Sequence, residues 1–202
     1  MTVLFTVWGY DVTVIEFASV ILAFLAIALG IRGTRWAWPL YFLSSLLYGW
    51  LFVEFDLFAS AAMQLIFMGA AIWGWFSWGR EGVEVPGRLD PVRRAVGLAA
   101  VVALWALVAP LLQRIGGAAT WGDAFMLVGS LAGQLLMVAK KIETWAVWIA
   151  VNTVGTLLYA SQGLYFTSLF YAVLIGMAIT GWRAWSRRAA EPEVAASAVA
   201  RG

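Results

Sequence analysis

Between Val12 and Trp185 the chain is a succession of apolar runs, each near the length of a bilayer crossing, divided by short polar seams. Seven can be read: Val12–Gly30, Trp36–Phe55, Leu57–Trp78, Val92–Leu112, Asp123–Ala139, Thr144–Ala160 and Leu164–Trp185. A helix needs ~20 apolar residues to cross the hydrocarbon core. Segments this long, without period-two alternation, satisfy their backbone as helices rather than as barrel strands. Hydrophobic residues make up 63% of the chain and charged residues 12%, against roughly 25% charged in soluble domains. So little charge could not cover a soluble protein of this size. The expected fold class is therefore all-α integral membrane, with seven transmembrane helices.

The basic residues orient those helices. With the N-terminus outside, 12 of the 13 Lys and Arg residues fall on the cytoplasmic side, and only Arg114 lies outside. Positive charge is retained on the cytoplasmic side in this way, whereas acids contribute little to the rule. The C-terminus is then cytoplasmic, and Asp11, Glu16, Glu54, Asp56 and Asp123 are external. Met1 to Tyr10 carries no basic residue and no small-residue cleavage site, so it does not read as a cleaved signal peptide.

The chain also echoes itself. Gly74-Trp75-Phe76-Ser77-Trp78 closes one apolar run, and Gly181-Trp182-Arg183-Ala184-Trp185 closes another 107 residues later. At the same offset Glu16 falls on Asp123, Trp38 on Trp145, Tyr41 on Trp148, Leu57 on Leu164 and Phe58 on Tyr165. Two three-helix copies, residues 12–78 and 123–185, flank a linker helix at 92–112, preceded by a cytoplasmic loop at 79–91 and followed by a flexible cytoplasmic tail at 186–202. One helix between two three-helix units gives both units the same orientation. That makes parallel repeats in a 3+1+3 order, as in SWEET-type carriers, with the site expected where the repeats meet.

The chain has no Cys and, like it, no His. Thiolate and imidazole metal sites are excluded, as are Cys or His nucleophiles and bases. No phosphate loop, GxSxG or HExxH occurs. The acids are dispersed rather than converging at one depth, so the chain is not expected to be an enzyme, and no cofactor is expected. A membrane scaffold is the remaining reading from another class, but it has no need of amides at mid-depth.

Trp145, Trp148 and Asn152 share one helical face through spacings of three and four. An amide in a bilayer must be paired or face water, and indoles beside an amide suit a flat heteroaromatic ligand. Interfacial anchoring of the Trp residues and a helix–helix bond from Asn152 are the structural alternatives. Gln64 and its counterpart Tyr171 set polar groups at equivalent depth in the two copies. Gln134, Ser44, Ser45, Thr153 and Thr156 are weaker candidates. Glu16 and Asp123 each begin a copy. There an acid either complements the helix dipole or serves gating or proton coupling. Trp75, Trp78, Trp182 and Trp185 read as interfacial anchors, and Gly74 and Gly181 as points of close helix approach.

These residues resemble the PnuC-type vitamin transporters of bacteria over roughly Ile15 to Trp185. The resemblance is carried by Leu57-Phe58-Ala59-Ser60 with Gln64 and GWFSW, then Asp123, the run KKIETWAVWIAVN from Lys140 to Asn152, and Gln162-Gly163-Leu164-Tyr165 with Ser168 and Tyr171. It implies a SWEET-like fold doubled in one chain, a homotrimer in the bacterial inner membrane, and facilitated diffusion of an unphosphorylated vitamin. A cytoplasmic kinase then traps the vitamin. It also implies a substrate site that includes Trp145, Trp148, Asn152, Gln64 and Tyr171. The family divides into nicotinamide riboside, thiamine and riboflavin carriers. Asn152 in the WxxWxxxN pattern leans toward nicotinamide riboside, with the other two vitamins as alternatives.

Overall fold

The first helix starts where a threonine can cap it. Thr13 takes an extended backbone, and its hydroxyl accepts from the Glu16 amide at 3.2 Å, one half of a capping box. The computed structural model describes residues 2–7, 9–54, 58–79, 85–114, 120–161 and 165–199. Asp56, Leu57, Arg80, Gln162, Gly163, Leu164 and Arg201, used in the sequence reading, lie outside the described residues. The chain divides into two units, residues 1–84 and 85–202.

The first unit holds α1 (Val14–Arg32), α2 (Ala37–Glu54) and α3 (Phe58–Ser77), with α2 packed on both neighbours. The second holds α4 (Pro91–Arg114), α5 (Thr120–Val138), α6 (Glu143–Ser161) and α7 (Tyr165–Val199), with α6 packed on α5 and α7, and α4 on α5. Among the described residues, α1, α4 and α5 are long and apolar enough to cross a membrane by length and composition.

Two features extend the sequence reading. An antiparallel hairpin of β1 (Val3–Val7) and β2 (Tyr10–Thr13) precedes α1, so the fold is not wholly helical. Gly9 turns it at φ 80°, a conformation glycine adopts without penalty. The flanking residues are β-branched or aromatic strand formers. The Thr6 hydroxyl donates to Asp11 across the strands, and the Phe5 ring meets Phe17 of α1 edge-on at 5.9 Å. At the other end, α7 runs as helix to Val199, into the segment read as the cytoplasmic tail at 186–202. Its Ala, Glu and Arg are strong helix formers.

The turn between α1 and α2 recurs between α5 and α6, bond for bond. Gly33 N–H donates to Gly30 O and Thr34 N–H to Leu29 O, and then Ala37 to Thr34 and Trp38 to Arg35. In the second unit, Lys140 donates to Met137, Lys141 to Leu136, Thr144 to Lys141 and Trp145 to Ile142. Each bond lies 107 residues after its counterpart. The first two bonds of each set form a Schellman closure, which needs a left-handed residue. Gly33 supplies it at φ 74°, and Lys140 is forced into it at φ 56°.

The repeated GWxxW motifs close over the helices that follow these turns. Trp38 and Trp145 are each 1% exposed. Trp78 meets Trp38 edge-on at 5.1 Å, and Trp185 meets Trp145 at 5.4 Å. A Cβ on Gly181 would stand 2.5 Å from the Trp145 ring, and one on Gly74 would stand closer still to Trp38. Each ring therefore lies flush on bare backbone. Trp78 and Trp185 are themselves buried, at 2% and 1%, which corrects the expectation that they are interfacial anchors. The glycine in each motif makes a slot that only a large ring, locked by a second ring, fills. Trp75 is half-buried, beneath the Arg35 guanidinium at 3.5 Å and against Trp36, whereas Trp182 is exposed.

Helix α4 is fastened to its unit at both ends. Asp90 caps it by accepting from the Arg93 amide at 2.9 Å. The strand of chain before it docks on the α5–α6 turn, where Gly87 N–H donates to Lys140 O at 2.9 Å and Ile142 N–H to Gly87 O at 3.0 Å. Glu143 Oε1 accepts from Leu89 N–H at 3.1 Å and Arg94 Nε at 2.9 Å, and Arg94 Nη2 stands 2.7 Å from it. Towards the other end, Trp105 Nε1 donates to Trp121 O at 2.9 Å.

Candidate functional site

Helix α6 carries a stripe at alternating spacings of three and four: Trp145, Trp148, Asn152, Gly155 and Tyr159. These spacings keep the five residues on one face. Trp145, at the base, is consumed by the lock with Gly181 and Trp185. Trp148 comes next, half-buried against Gly133 of α5, where an added Cβ would meet its indole at 3.0 Å. Thr144 steadies this end of the helix by donating to Gly133 O at 2.8 Å. Asn152 is 4% exposed, so its amide is buried.

Gly155 then opens the face. The Tyr171 ring of α7 lies where a Cβ at Gly155 would be, 2.5 Å from its Cδ1. Tyr171 in turn packs on Tyr159, with ring centroids 5.2 Å apart and planes at 37°. Tyr171 of α7 is thus brought onto the face that holds Trp148 and Asn152. Sequence spacing alone did not single out Gly155 or Tyr159. The signal for both was the continuation of the same stripe beyond Asn152.

The corresponding stripe on α2 is Trp38, Tyr41, Ser45, Tyr48 and Phe52. Here the extra ring sits on α2 itself, with Tyr48 stacked on Phe52 at 5.7 Å and 21°. The facing position on α3 is Gln64, whose Cβ lies 3.5 Å from where a Cβ on Gly49 would stand. Gln64 also lines an open surface groove of about 630 Å³ with Gly49, Trp50, Leu46, Leu65 and Met68. The two units therefore exchange an aromatic ring and a small or polar residue between their facing helices.

Several weaker candidates are structural. Ser44 donates to Ser19 O at 2.9 Å, linking α2 to α1, and Ser168 donates to Thr156 O at 2.8 Å, linking α7 to α6. Thr153 and Thr156 bond their own helix at Ile149 O and Asn152 O. Ser45 and Gln134 are buried. Glu16 stands at the capped start of α1, and Asp123 is exposed in the first turn of α5.

A family model described as nicotinamide mononucleotide transporter matches residues 13–187. The chain belongs to that family. It is 27% identical over 213 residues to the nicotinamide riboside transporter PnuC of Escherichia coli (strain K12), covering 91% of this chain and 89% of that protein. It is 30% identical over 185 residues to the riboflavin/roseoflavin transporter RibM of Streptomyces davaonensis, covering 85% of each. A crystal structure of the vitamin B3 transporter PnuC shares the fold, with a TM-score of 0.73 at 19% identity over 88% of this chain and 82% of that one. This is accordingly a multi-pass membrane protein of a vitamin-transporter family. The matched span takes in all seven helices, with α7 as far as residue 187, and includes every candidate site residue.

Proposed function

We propose that the protein imports nicotinamide riboside across the bacterial inner membrane by facilitated diffusion. Two parallel three-helix repeats act in a seven-crossing chain with the N-terminus outside and the C-terminus cytoplasmic. The recurrence of the α1–α2 turn at α5–α6 and the one-sided distribution of Lys and Arg support that arrangement. The chain works as a homotrimer, and a cytoplasmic kinase traps the vitamin, so no energy source is needed in the carrier itself. Trp148, Asn152 and Tyr171 contact the ligand on the α6 face, while Trp145 holds that face rigid. Gln64 contacts the ligand in its own groove.

The observation that carries this reading is the buried Asn152 amide on the same face as the half-buried Trp148 indole. The ring gives a stacking plane, and the amide gives a directional partner for a carboxamide. Helix α6 carries no Lys or Arg, which favours the riboside over its phosphorylated form. Riboflavin is the second reading, supported by the 30% identity to RibM.

Vesicles holding the purified protein, without kinase or ATP, are expected to take up labelled nicotinamide riboside to equilibrium and then stop. Excess unlabelled riboside should block uptake, whereas riboflavin, thiamine and nicotinamide mononucleotide should not. Block by riboflavin alone would make riboflavin the substrate. Accumulation above equilibrium under a proton gradient would replace diffusion by coupling through Glu16 or Asp123. Asn152→Ala with unchanged uptake would refute the site.

A further inference from the structure

Beyond Asn152 the α6 stripe ends in a second arrangement. Tyr159 lies seven residues from Asn152, about 10 Å further along the helix. Its ring packs on Tyr171 at 5.2 Å with the planes 37° apart. Both rings are half-buried, so each keeps surface free. The start of α5 lies alongside, since a Cβ on Gly122 would meet Leu158 at 3.2 Å. The next residue, Asp123, is within electrostatic reach of Tyr159.

Two electron-rich faces beside a carboxylate are the chemistry that recognises a flat cation. The ring quadrupole attracts positive charge placed over it, and the carboxylate adds Coulombic attraction. A neutral ring of the same size gains stacking but neither charge term. The first unit keeps an acid, Glu16, at the position of Asp123, but its ring pair, Tyr48 and Phe52, lies on one helix. At the corresponding positions it has Phe52 for Tyr159, Gln64 for Tyr171 and Tyr48 for Gly155. In the second unit the pair joins two helices, because the opening at Gly155 admits the Tyr171 ring of α7.

We propose that Tyr159, with Tyr171 and Asp123, forms a cation-selecting station at the end of α6 remote from the Lys140 turn. It favours a heteroaromatic ring that carries a positive charge over an uncharged ring of the same shape. Tyr159 is its specificity-determining residue. This rests on the nicotinamide riboside reading, whose pyridinium ring carries such a charge.

Nicotinamide riboside and its reduced, uncharged dihydro form differ by a hydride and are close in size, so they isolate the charge. Their dissociation constants are measured on the purified full-length protein and on Asp123→Asn, Tyr159→Leu and Tyr159→Phe. The wild type is expected to prefer the cation. Asp123→Asn and Tyr159→Leu should each reduce that preference by at least about threefold, with binding of the reduced form kept within about twofold. Tyr159→Phe keeps the ring and should keep most of the preference, which also guards against a variant that fails to fold. An unchanged ratio in both Asp123→Asn and Tyr159→Leu, with the cation still bound, overturns the station and leaves the substrate reading standing. So does an equal loss of both forms. If the wild type binds riboflavin and neither form of the riboside, the substrate reading fails and the station falls with it.

Discussion

Adding one methyl group at Gly181 tests the Trp lock. The new Cβ would stand 2.5 Å from Cε3 and Cζ3 of Trp145 and 2.6 Å from Cδ2, about 1 Å inside ordinary carbon contact. The ring cannot slide away. It is 1% exposed, and Trp185 meets its face edge-on at 5.4 Å. Overpacking of this kind costs about 1–3 kcal/mol. A domain of this length loses roughly 2–4 °C per kcal/mol, so Gly181→Ala should lower Tm by about 2–12 °C. The same helix supplies its own control. Gly176 has nothing within 4 Å of an added Cβ, and Gly176→Ala should be neutral or stabilising by up to about 1 kcal/mol through helix propensity. Thermal unfolding in detergent, followed by intrinsic Trp fluorescence, reads both. Shrinking the ring with Trp145→Phe should recover part of the loss in the Gly181→Ala background, giving a coupling that independent sites do not show. If Gly181→Ala and Gly176→Ala melt together, the lock as described is wrong. Gly74→Ala should repeat the result against Trp38, with Gly69→Ala as its control.

Other expectations concern the second unit. Lys140→Gly should stabilise the protein by roughly 0.5–1 kcal/mol, because glycine takes the φ of 56° without a Cβ clash; an unchanged or lower Tm would count against strain at this turn. Arg94→Met and Glu143→Gln should be coupled by about 0.5–1 kcal/mol in a double-mutant cycle of Tm, a modest value because the pair is partly solvent-screened. Additive losses would mean that the contact does not tie α4 to the α5–α6 turn. The Arg93 amide bond, with help from the Arg93 guanidinium, holds the Asp90 carboxyl below its usual pKa. Its folded value is the depressed one, so its contribution is present above the ordinary value near 3.9 and is lost as pH falls through the lower folded value. Melting curves down the acid range should show that loss in the wild type and its absence in Asp90→Asn.

Much of this architecture was legible in the chain because membrane helices announce themselves by length and composition. The seven apolar segments fall close to the seven helices, and the 107-residue offset pairs Trp38 with Trp145 in the same environment. What was not legible has a common cause. Burial within a membrane protein does not follow hydropathy, so Trp78 and Trp185 look like interfacial anchors until the bare backbone of Gly74 and Gly181 is seen beneath their partner rings. The docking of residues 85–90 on Lys140–Glu143 joins segments more than 50 residues apart through backbone groups, which leave no trace in side-chain pattern. Of the candidate site, the α6 face was readable from spacing. Gly155 was not, because its importance is the room it leaves for a ring from another helix. The hairpin was readable from its strand formers around Gly9, but the search for long apolar runs passes over segments of four or five residues.

The duplicated turn has a consequence for how such a chain can change. Between 33–38 and 140–145, Gly-Thr-Arg-Trp-Ala-Trp and Lys-Lys-Ile-Glu-Thr-Trp share only the final residue, yet they close with the same bonds. A turn held by its own main chain leaves its side chains free for separate employment: one copy sets Arg35 against Trp75, and the other sets Glu143 against Arg94. The two copies are interchangeable parts with different fittings. Alignments that count matching letters will underrate how alike they are.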